Sequence, residues 1–150
     1  MQCAVVEFAR NVLKMKNANS IEINPETKFP VISMMEEQKK LKKMGGTMRL
    51  GSYSCDVKKG SLLHKIYLKD TISERHRHRF EFNNQYLNDF ESNGMIFSGI
   101  NRKNQLMETI EISDHPWFVG VQFHPEYKST VENPHPIFLG LIEAGLEHSS

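Results

Sequence analysis

The segment VGVQFHPEYKS, residues 119–129, ends an apolar run with two side chains capable of acid–base chemistry. His124 and Glu126 stand two residues apart, so an extended backbone would point both to the same side. A carboxylate placed there can keep one imidazole nitrogen protonated and leave the other available as a base. The pattern allows a nucleophile–His–Glu system, although a His–carboxylate pair on the surface is the commoner meaning of such a match.

A second candidate is the segment RHRHR, residues 75–79. On a strand its three arginines share one face and its two histidines share the other. The guanidinium groups could bind a carboxylate or a phosphate through paired hydrogen bonds, but Glu74 and Glu81 flank the segment and favour a structural ion-pair network. A site for RNA would need interleaved aromatic residues and a wider basic surface.

Three other features have structural interpretations. The glycine-rich segment at 45–51 lacks the spacing of a phosphate-binding loop, so its glycines indicate a tight turn. Cys3 falls in the stripe of a predicted helix and Cys55 in a predicted strand, where a buried thiol is usually inert packing. Two cysteines without metal-like spacing predict neither a zinc site nor a disulfide framework.

The composition predicts one globular domain. The 150 residues include 19 Lys and Arg against 18 Asp and Glu, which gives a net charge of +1. This balance argues against nucleic acid or an anionic membrane as a partner. The sequence contains no apolar run of about 18 residues and no secretory signal pattern, so we expect no membrane span and a cytoplasmic location.

The elements that must position these residues alternate between helix and strand. Apolar spacing predicts a helix over residues 1–14 and a closing helix over 134–148, with Pro136 near its start. Between them the patterns predict a helix over 83–94 that ends at Gly94, a charged loop or helix over 36–46, and an ambiguous segment over 61–71 that could be a short helix. Strands are predicted over 29–34, 47–57, 72–83 and 115–123, and a hairpin over 95–112 with its turn near Asn101–Asn104. Helices flanking mixed strands indicate an α/β sandwich.

Six segments taken in order resemble the glutamine amidotransferase domain of CTP synthase: MQCAVVEFARNVL, NANSIE, GGTMRLG, ERHRHRFE, HPWFVGVQFHPE and HPIFLGLI. The resemblance extends from Met1 to about Leu141. It implies an α/β fold of the flavodoxin-like three-layer sandwich type found in class I glutamine amidotransferases. It also implies that residues 1–150 form a partial domain, truncated just after the nucleophile elbow and lacking the N-terminal strands and the synthetase domain.

The resemblance assigns the residues of the site. In the family a cysteine attacks the side-chain amide of glutamine, a histidine activates it and a glutamate orients the histidine. His124 and Glu126 match the histidine and the glutamate. The family cysteine belongs to a G-x-C-L-G-M-Q motif whose last two residues match Met1 and Gln2, so we expect the nucleophile three residues before Met1. Cys3 lies five residues past that position, about 7.5 Å along a helix, and should not replace it.

Further residues match positions that contact the substrate. Met1 and Gln2 fall in the segment that lines the glutamine pocket. Glu22 matches an acidic residue suited to the α-amino group, and Arg79 matches the arginine beside the α-carboxylate. For Arg79 the resemblance therefore favours the anion site over the ion-pair network.

The parent enzymes aminate UTP with ammonia from glutamine, use ATP and Mg²⁺, respond to GTP and form homotetramers through the synthetase domain. For this chain the resemblance implies glutamine as substrate, no cofactor or metal of its own, and no glutaminase activity in isolation. Two alternatives stay open: a noncatalytic amidotransferase-like binding protein, and a nucleic-acid module that uses RHRHR.

Overall fold

The computed structural model describes residues 1–34 and 48–149. The charge run predicted as a loop or helix over 36–46 lies outside the described residues, as does the start of the glycine-rich segment. The described helices are α1 (Gln2–Asn11), α2 (Leu62–Tyr67), α3 (Leu87–Ser92) and α4 (Pro136–Ser149), with 3-10 turns at Asn84–Tyr86 and Pro125–Lys128. The helices predicted over residues 1–14, 83–94 and 134–148 are therefore confirmed within a few residues.

Eight strands are described, and they form two sheets. They are β1 (Asn19–Ser20), β2 (Pro30–Ser33), β3 (Arg49–Val57), β4 (Thr71–His78), β5 (Glu81–Phe82), β6 (Met95–Asn101), β7 (Leu106–Ile112) and β8 (Val119–Val121). The smaller sheet has the order β1-β2-β5, with β1 parallel and β5 antiparallel to β2. The larger sheet has the order β4-β3-β6-β7-β8 and is antiparallel throughout.

Two strand predictions are corrected by the structure. The predicted strand over 72–83 is two strands in different sheets, because the chain bends at Arg79 and Phe80. The predicted strand over 115–123 is paired only at Val119–Val121. Before it, the Trp117 amide donates to His115 Nδ1 over 3.1 Å, so this amide is satisfied locally rather than by a neighbouring strand.

Two hydrophobic cores hold these elements together. The first joins α1, α3, the smaller sheet and strands β6 and β7, around buried residues such as Val5, Phe82 and Phe90. The second joins α2 and α4 to β3 and β4, around residues such as Leu63 and Ile137. The larger sheet contributes side chains to both cores, so its strands are held in place from two directions.

Helix α2 resolves the ambiguous segment after residue 60. Ser61 caps it by accepting a hydrogen bond from the His64 amide over 3.1 Å. The buried carboxylate of Glu111, on β7, accepts from the Leu62 and Leu63 amides over 2.9 Å each. A helix of only six residues is weak alone, so these contacts explain why a faint sequence pattern still forms a helix.

Candidate active site

His124 comes three residues after the end of β8 and is fixed from several sides. Its backbone amide donates to the Arg75 carbonyl on β4 over 2.8 Å, and Phe123 before it is buried. Pro125 then opens the 3-10 turn at Pro125–Lys128. At the end of that turn, Lys128 donates to the carbonyl of Ser73, also on β4.

The His124 ring is paired with the Glu126 carboxylate. Nδ1 lies 2.7 Å from Oε1 of Glu126, and this hydrogen bond lowers the pKa of the Glu126 carboxyl group. An ionised carboxylate can only accept, so Nδ1 carries the proton and Nε2 offers its lone pair. The ring also stacks on Tyr127, with centroids 5.2 Å apart. The side chain of His124 is 35% exposed, so a substrate can reach it.

The structure pairs His124 with Glu126 without an extended backbone between them. The tight turn, rather than a strand, brings the carboxylate back to the ring. Pro125 favours this geometry because its fixed φ suits the first position of a helical turn.

The start of α1 lies against the strand that leads to His124. Gly120 on β8 allows this approach, since a Cβ atom there would lie 3.2 Å from Met1 Cα and 2.8 Å from Cγ1 of Ile110. The side chain of Gln2 donates to the Phe80 carbonyl over 2.9 Å and to Gln122 Oε1 over 3.2 Å. Met1 and Gln2 therefore lie beside the residues just before His124.

Arg79 occupies the bend between β4 and β5 and is half-buried. Its neighbour Phe80 carries the carbonyl that Gln2 contacts, so the backbone after Arg79 lies beside the start of α1. Glu22 lies in the exposed turn after β1, where its amide donates to Ser20 Oγ over 3.2 Å. Its assignment depends on the family resemblance alone.

A buried ionic cluster lies next to these residues; it contains Glu81, for which an ion-pair network was predicted, and Arg49, whose part in it was not predicted. The guanidinium of Arg49 lies 2.8 Å from Glu108 and 3.3 Å from Glu81. Gln122 Nε2 donates to the other oxygen of Glu81 over 3.2 Å. Burial raises the pKa of Glu81 to about 8, against the opposing effect of Arg49. The cluster connects β3, β5 and β7 to the strand of His124.

The two histidines of RHRHR belong to the same interior. His76 Nδ1 lies 2.8 Å from His78 Nε2, and His78 Nδ1 lies 3.2 Å from the Phe80 carbonyl. Burial, followed by the charge of Arg49, lowers the pKa of His76 to about 3 and that of His78 to about 4. Both rings are therefore neutral. Since a carbonyl only accepts, His78 carries its proton on Nδ1 and receives the Nδ1 proton of His76.

The strand pattern predicted that the three arginines of this segment share one face, and this is wrong. Arg75 and Arg77 are exposed on β4, and they line a cavity of about 490 Å³ together with Tyr127. Arg79 has already left the strand. A larger cavity, of about 620 Å³, lies beside Glu81 and Asn83. Neither of these two cavities is lined by His124.

His76, His78 and Glu108 place three possible ligand atoms within 4.8 Å of one another. Arg49, however, contacts both carboxylate oxygens of Glu108, at 2.8 and 3.3 Å. A fixed positive charge beside the carboxylate opposes a cation, and the two imidazoles already bond to each other. This arrangement is a hydrogen-bonded ionic cluster and does not suit a metal ion.

The two cysteines differ in environment. Cys3 is exposed on α1, so its predicted place in the buried stripe is wrong. Cys55 is fully buried in β3, as predicted, and burial raises the pKa of its thiol. A buried protonated thiol is a poor nucleophile.

Among the described residues, no helix is both long and apolar enough to cross a membrane.

Comparisons with known proteins show the family of this chain. The family model for glutamine amidotransferase class-I matches residues 1–144. The chain is 60% identical over 144 residues to a CTP synthase of Cytophaga hutchinsonii, which covers 96% of this chain and 27% of that protein. It is 57% identical over 148 residues to a CTP synthase of Aquifex aeolicus, covering 99% and 28%. The chain thus spans about a quarter of the length of these relatives.

A solved structure gives the same result for the fold. The Trypanosoma brucei CTPS glutaminase domain with bound acivicin superposes with a TM-score of 0.91 at 35% identity, covering 98% of this chain and 57% of that one. The fold is thus the α/β fold of the class I amidotransferases, which is flavodoxin-like. From its sequence and its structure, the chain belongs to the class-I glutamine amidotransferase family and is related within it to the glutaminase domain of CTP synthases.

Proposed function

We propose that this chain supplies the His–Glu half of the glutaminase site of a CTP synthase, with glutamine as the substrate. The observation that carries the proposal is the 2.7 Å contact between His124 Nδ1 and Glu126. It fixes the tautomer that an activating base requires, with Nε2 unprotonated and directed away from the carboxylate. The half-exposed ring is open to a nucleophile from outside the chain.

The chemistry assigned to His124 is proton transfer at Nε2. A cysteine thiol from a preceding part of the parent enzyme gives its proton to Nε2, and its sulfur attacks the amide carbon of glutamine. The protonated His124 then delivers that proton to the departing nitrogen, so that ammonia leaves and a thioester forms. Water, activated by the same nitrogen, cleaves the thioester to glutamate and restores the thiol. Glu126 stabilises the imidazolium form in both steps.

Substrate recognition is assigned to four residues. The guanidinium of Arg79 suits the α-carboxylate of glutamine, and the carboxylate of Glu22 suits the α-amino group. Met1 and Gln2 border the same end of the sheet as His124. In this proposal residues 1–150 are part of the glutaminase domain, and the ammonia is used in a synthetase domain of the same parent. The parent is expected to be a cytoplasmic homotetramer that uses ATP and Mg²⁺, with GTP as activator.

The test starts from native protein captured from its source cells through a C-terminal epitope. Its intact mass and its release of glutamate from glutamine are measured, together with His124→Ala and, as a matched control, the exposed His148→Ala. We expect a mass well above 17.4 kDa, a G-x-C-L-G sequence before Met1, and hydrolysis that falls by about 10³-fold or more in His124→Ala only.

Two outcomes would contradict the proposal. Purified residues 1–150 that hydrolyse glutamine in a His124-dependent way would show that no external cysteine is needed. A native product of 17.4 kDa without activity would instead favour the noncatalytic amidotransferase-like binding protein.

A further inference from the structure

Three side chains from separate parts of the chain donate to one backbone carbonyl, that of Phe80. The donors are Gln2 Nε2 at 2.9 Å, Gln122 Nε2 at 3.1 Å and His78 Nδ1 at 3.2 Å. They come from α1, from the end of β8 and from β4. Most carbonyls accept one or two hydrogen bonds, so this convergence marks a point whose position is closely defined.

The Phe80 carbonyl lies where the chain passes from one sheet to the other. Arg79 and Phe80 lie between β4, in the larger sheet, and β5, in the smaller sheet. Neither residue belongs to a strand, so side chains take over the role that ladder hydrogen bonds have elsewhere. The course of the backbone that follows Arg79 therefore depends on the donors that hold the Phe80 carbonyl.

Gln122 is the donor with the most connections. Its Nε2 donates to Phe80 and to Glu81 Oε2 at 3.2 Å, while its Oε1 accepts from Gln2 at 3.2 Å. Its amide can adopt only one orientation here. Rotation by 180° would set its oxygen against the Phe80 carbonyl, and its NH₂ against the NH₂ of Gln2. The residue is 7% exposed, so water cannot readily replace these partners.

We propose that Gln122 is a positioning residue for the substrate, which fixes the Phe80 carbonyl, and with it the backbone that follows Arg79, relative to the strand that leads to His124. The residue stands two positions before His124, so the same side chain connects the residue assigned to the α-carboxylate with the residue assigned to proton transfer. This inference rests on the proposed function of the site. It adds to that site a residue that does not itself contact the substrate.

The role predicts a specific kinetic effect. Gln122→Met keeps the length of the side chain and removes both hydrogen-bonding groups. Because the α-carboxylate assigned to Arg79 is present in both glutamine and glutamate, we expect the KM for glutamine and the inhibition constant of glutamate to rise together, by about tenfold, as for loss of one well-placed hydrogen bond. The kcat should stay within about twofold, because the His124–Glu126 pair is unchanged.

The experiment uses the full-length native protein captured as above, with urea unfolding measured for every variant. Gln85→Met is the matched control, since Gln85 is exposed in the turn before α3, and its constants should equal those of the wild type. Gln122→Asn is the second variant. It keeps the amide on a side chain shorter by one methylene, so its KM should lie between those of the wild type and Gln122→Met, and it decides the question if the Met variant does not fold.

The outcomes separate this inference from the proposed function. An active wild type whose Gln122 variants keep a normal KM, or lose kcat at constant KM, would show that Gln122 only supports the fold and would overturn the inference alone. A wild type that does not hydrolyse glutamine would overturn the proposed function, and the inference with it. A parallel rise in both constants supports the inference.

Discussion

The substitution His76→Asn should become less destabilising as the pH falls. His76 is 2% exposed, and burial together with Arg49 lowers its pKa to about 3. The unfolded chain takes up a proton at this residue near pH 6.5, whereas the folded protein does not. Below pH 6.5 the unfolded state thus binds more protons, so the neutral ring costs the wild type stability as the pH falls. An asparagine carries no such cost.

The size of this change in stability follows from the pH range over which only the unfolded state binds the proton. One residue that is protonated only in the unfolded state changes the free energy of unfolding by about 1.4 kcal/mol per pH unit. Between pH 6.5 and pH 5.0 the wild type should therefore lose about 2 kcal/mol relative to His76→Asn. At neutral pH the variant should be the less stable protein by about 1–3 kcal/mol, because it leaves a void beside Phe123 and weakens the contact with His78.

The assay is equilibrium urea unfolding followed by the fluorescence of Trp117, the only tryptophan. Wild type, His76→Asn and the exposed control His148→Asn are compared at pH 7.5, 6.5, 5.75 and 5.0. Comparing variants at each pH cancels the contributions of the carboxyl groups, including the opposite one expected from Glu81. A stability difference that stays constant from pH 6.5 to 5.0 would refute the reasoning, because it would mean that the folded protein protonates His76 as easily as the unfolded chain does.

Two further predictions concern close packing and thiol reactivity. Gly120→Ala should destabilise the protein by about 1–3 kcal/mol in urea unfolding, since its Cβ would lie 2.8 Å from Cγ1 of Ile110; the control Gly145→Ala has open space on α4 and should be neutral or stabilising. Equal stability of the two variants would contradict this contact. In the folded protein a thiol reagent should label Cys3 rapidly and leave Cys55 unmodified until urea unfolds the chain, as counted by intact mass. Rapid labelling of both thiols would show that the second core opens readily.

The sequence predicted those elements whose own pattern is strong. Helices α1 and α4 follow from apolar residues at helical spacing, and the β6–β7 hairpin follows from the polar turn between its strands. The interior position of two glutamates on β7 could not be predicted. Glu108 is satisfied by Arg49, and Glu111 by the amides at the start of α2. Both partners lie more than 45 residues away in the sequence, so no local pattern records them.

In the candidate site, too, the local pair could be predicted and the distant contacts could not. The pairing of His124 with Glu126 could be predicted from their spacing, but the helical turn that achieves it depends on bonds to β4. Gln122 could not be identified, because an amide at the end of an apolar run has no distinctive chemistry until its partners are known. Glycine at position 120 was a signal of close backbone approach that the apolar strand pattern concealed.

The bend at Arg79 and Phe80 joins the smaller sheet, which packs in the first core, to the larger sheet, which packs in both cores. Any substitution that shifts one sheet relative to the other acts on this peptide, and through it on the guanidinium assigned to the substrate. Affinity for glutamine can then change in evolution through ordinary core residues, far from the bound ligand. A random library selected for altered KM should return conservative exchanges in both cores, while the residues that surround His124 stay as they are.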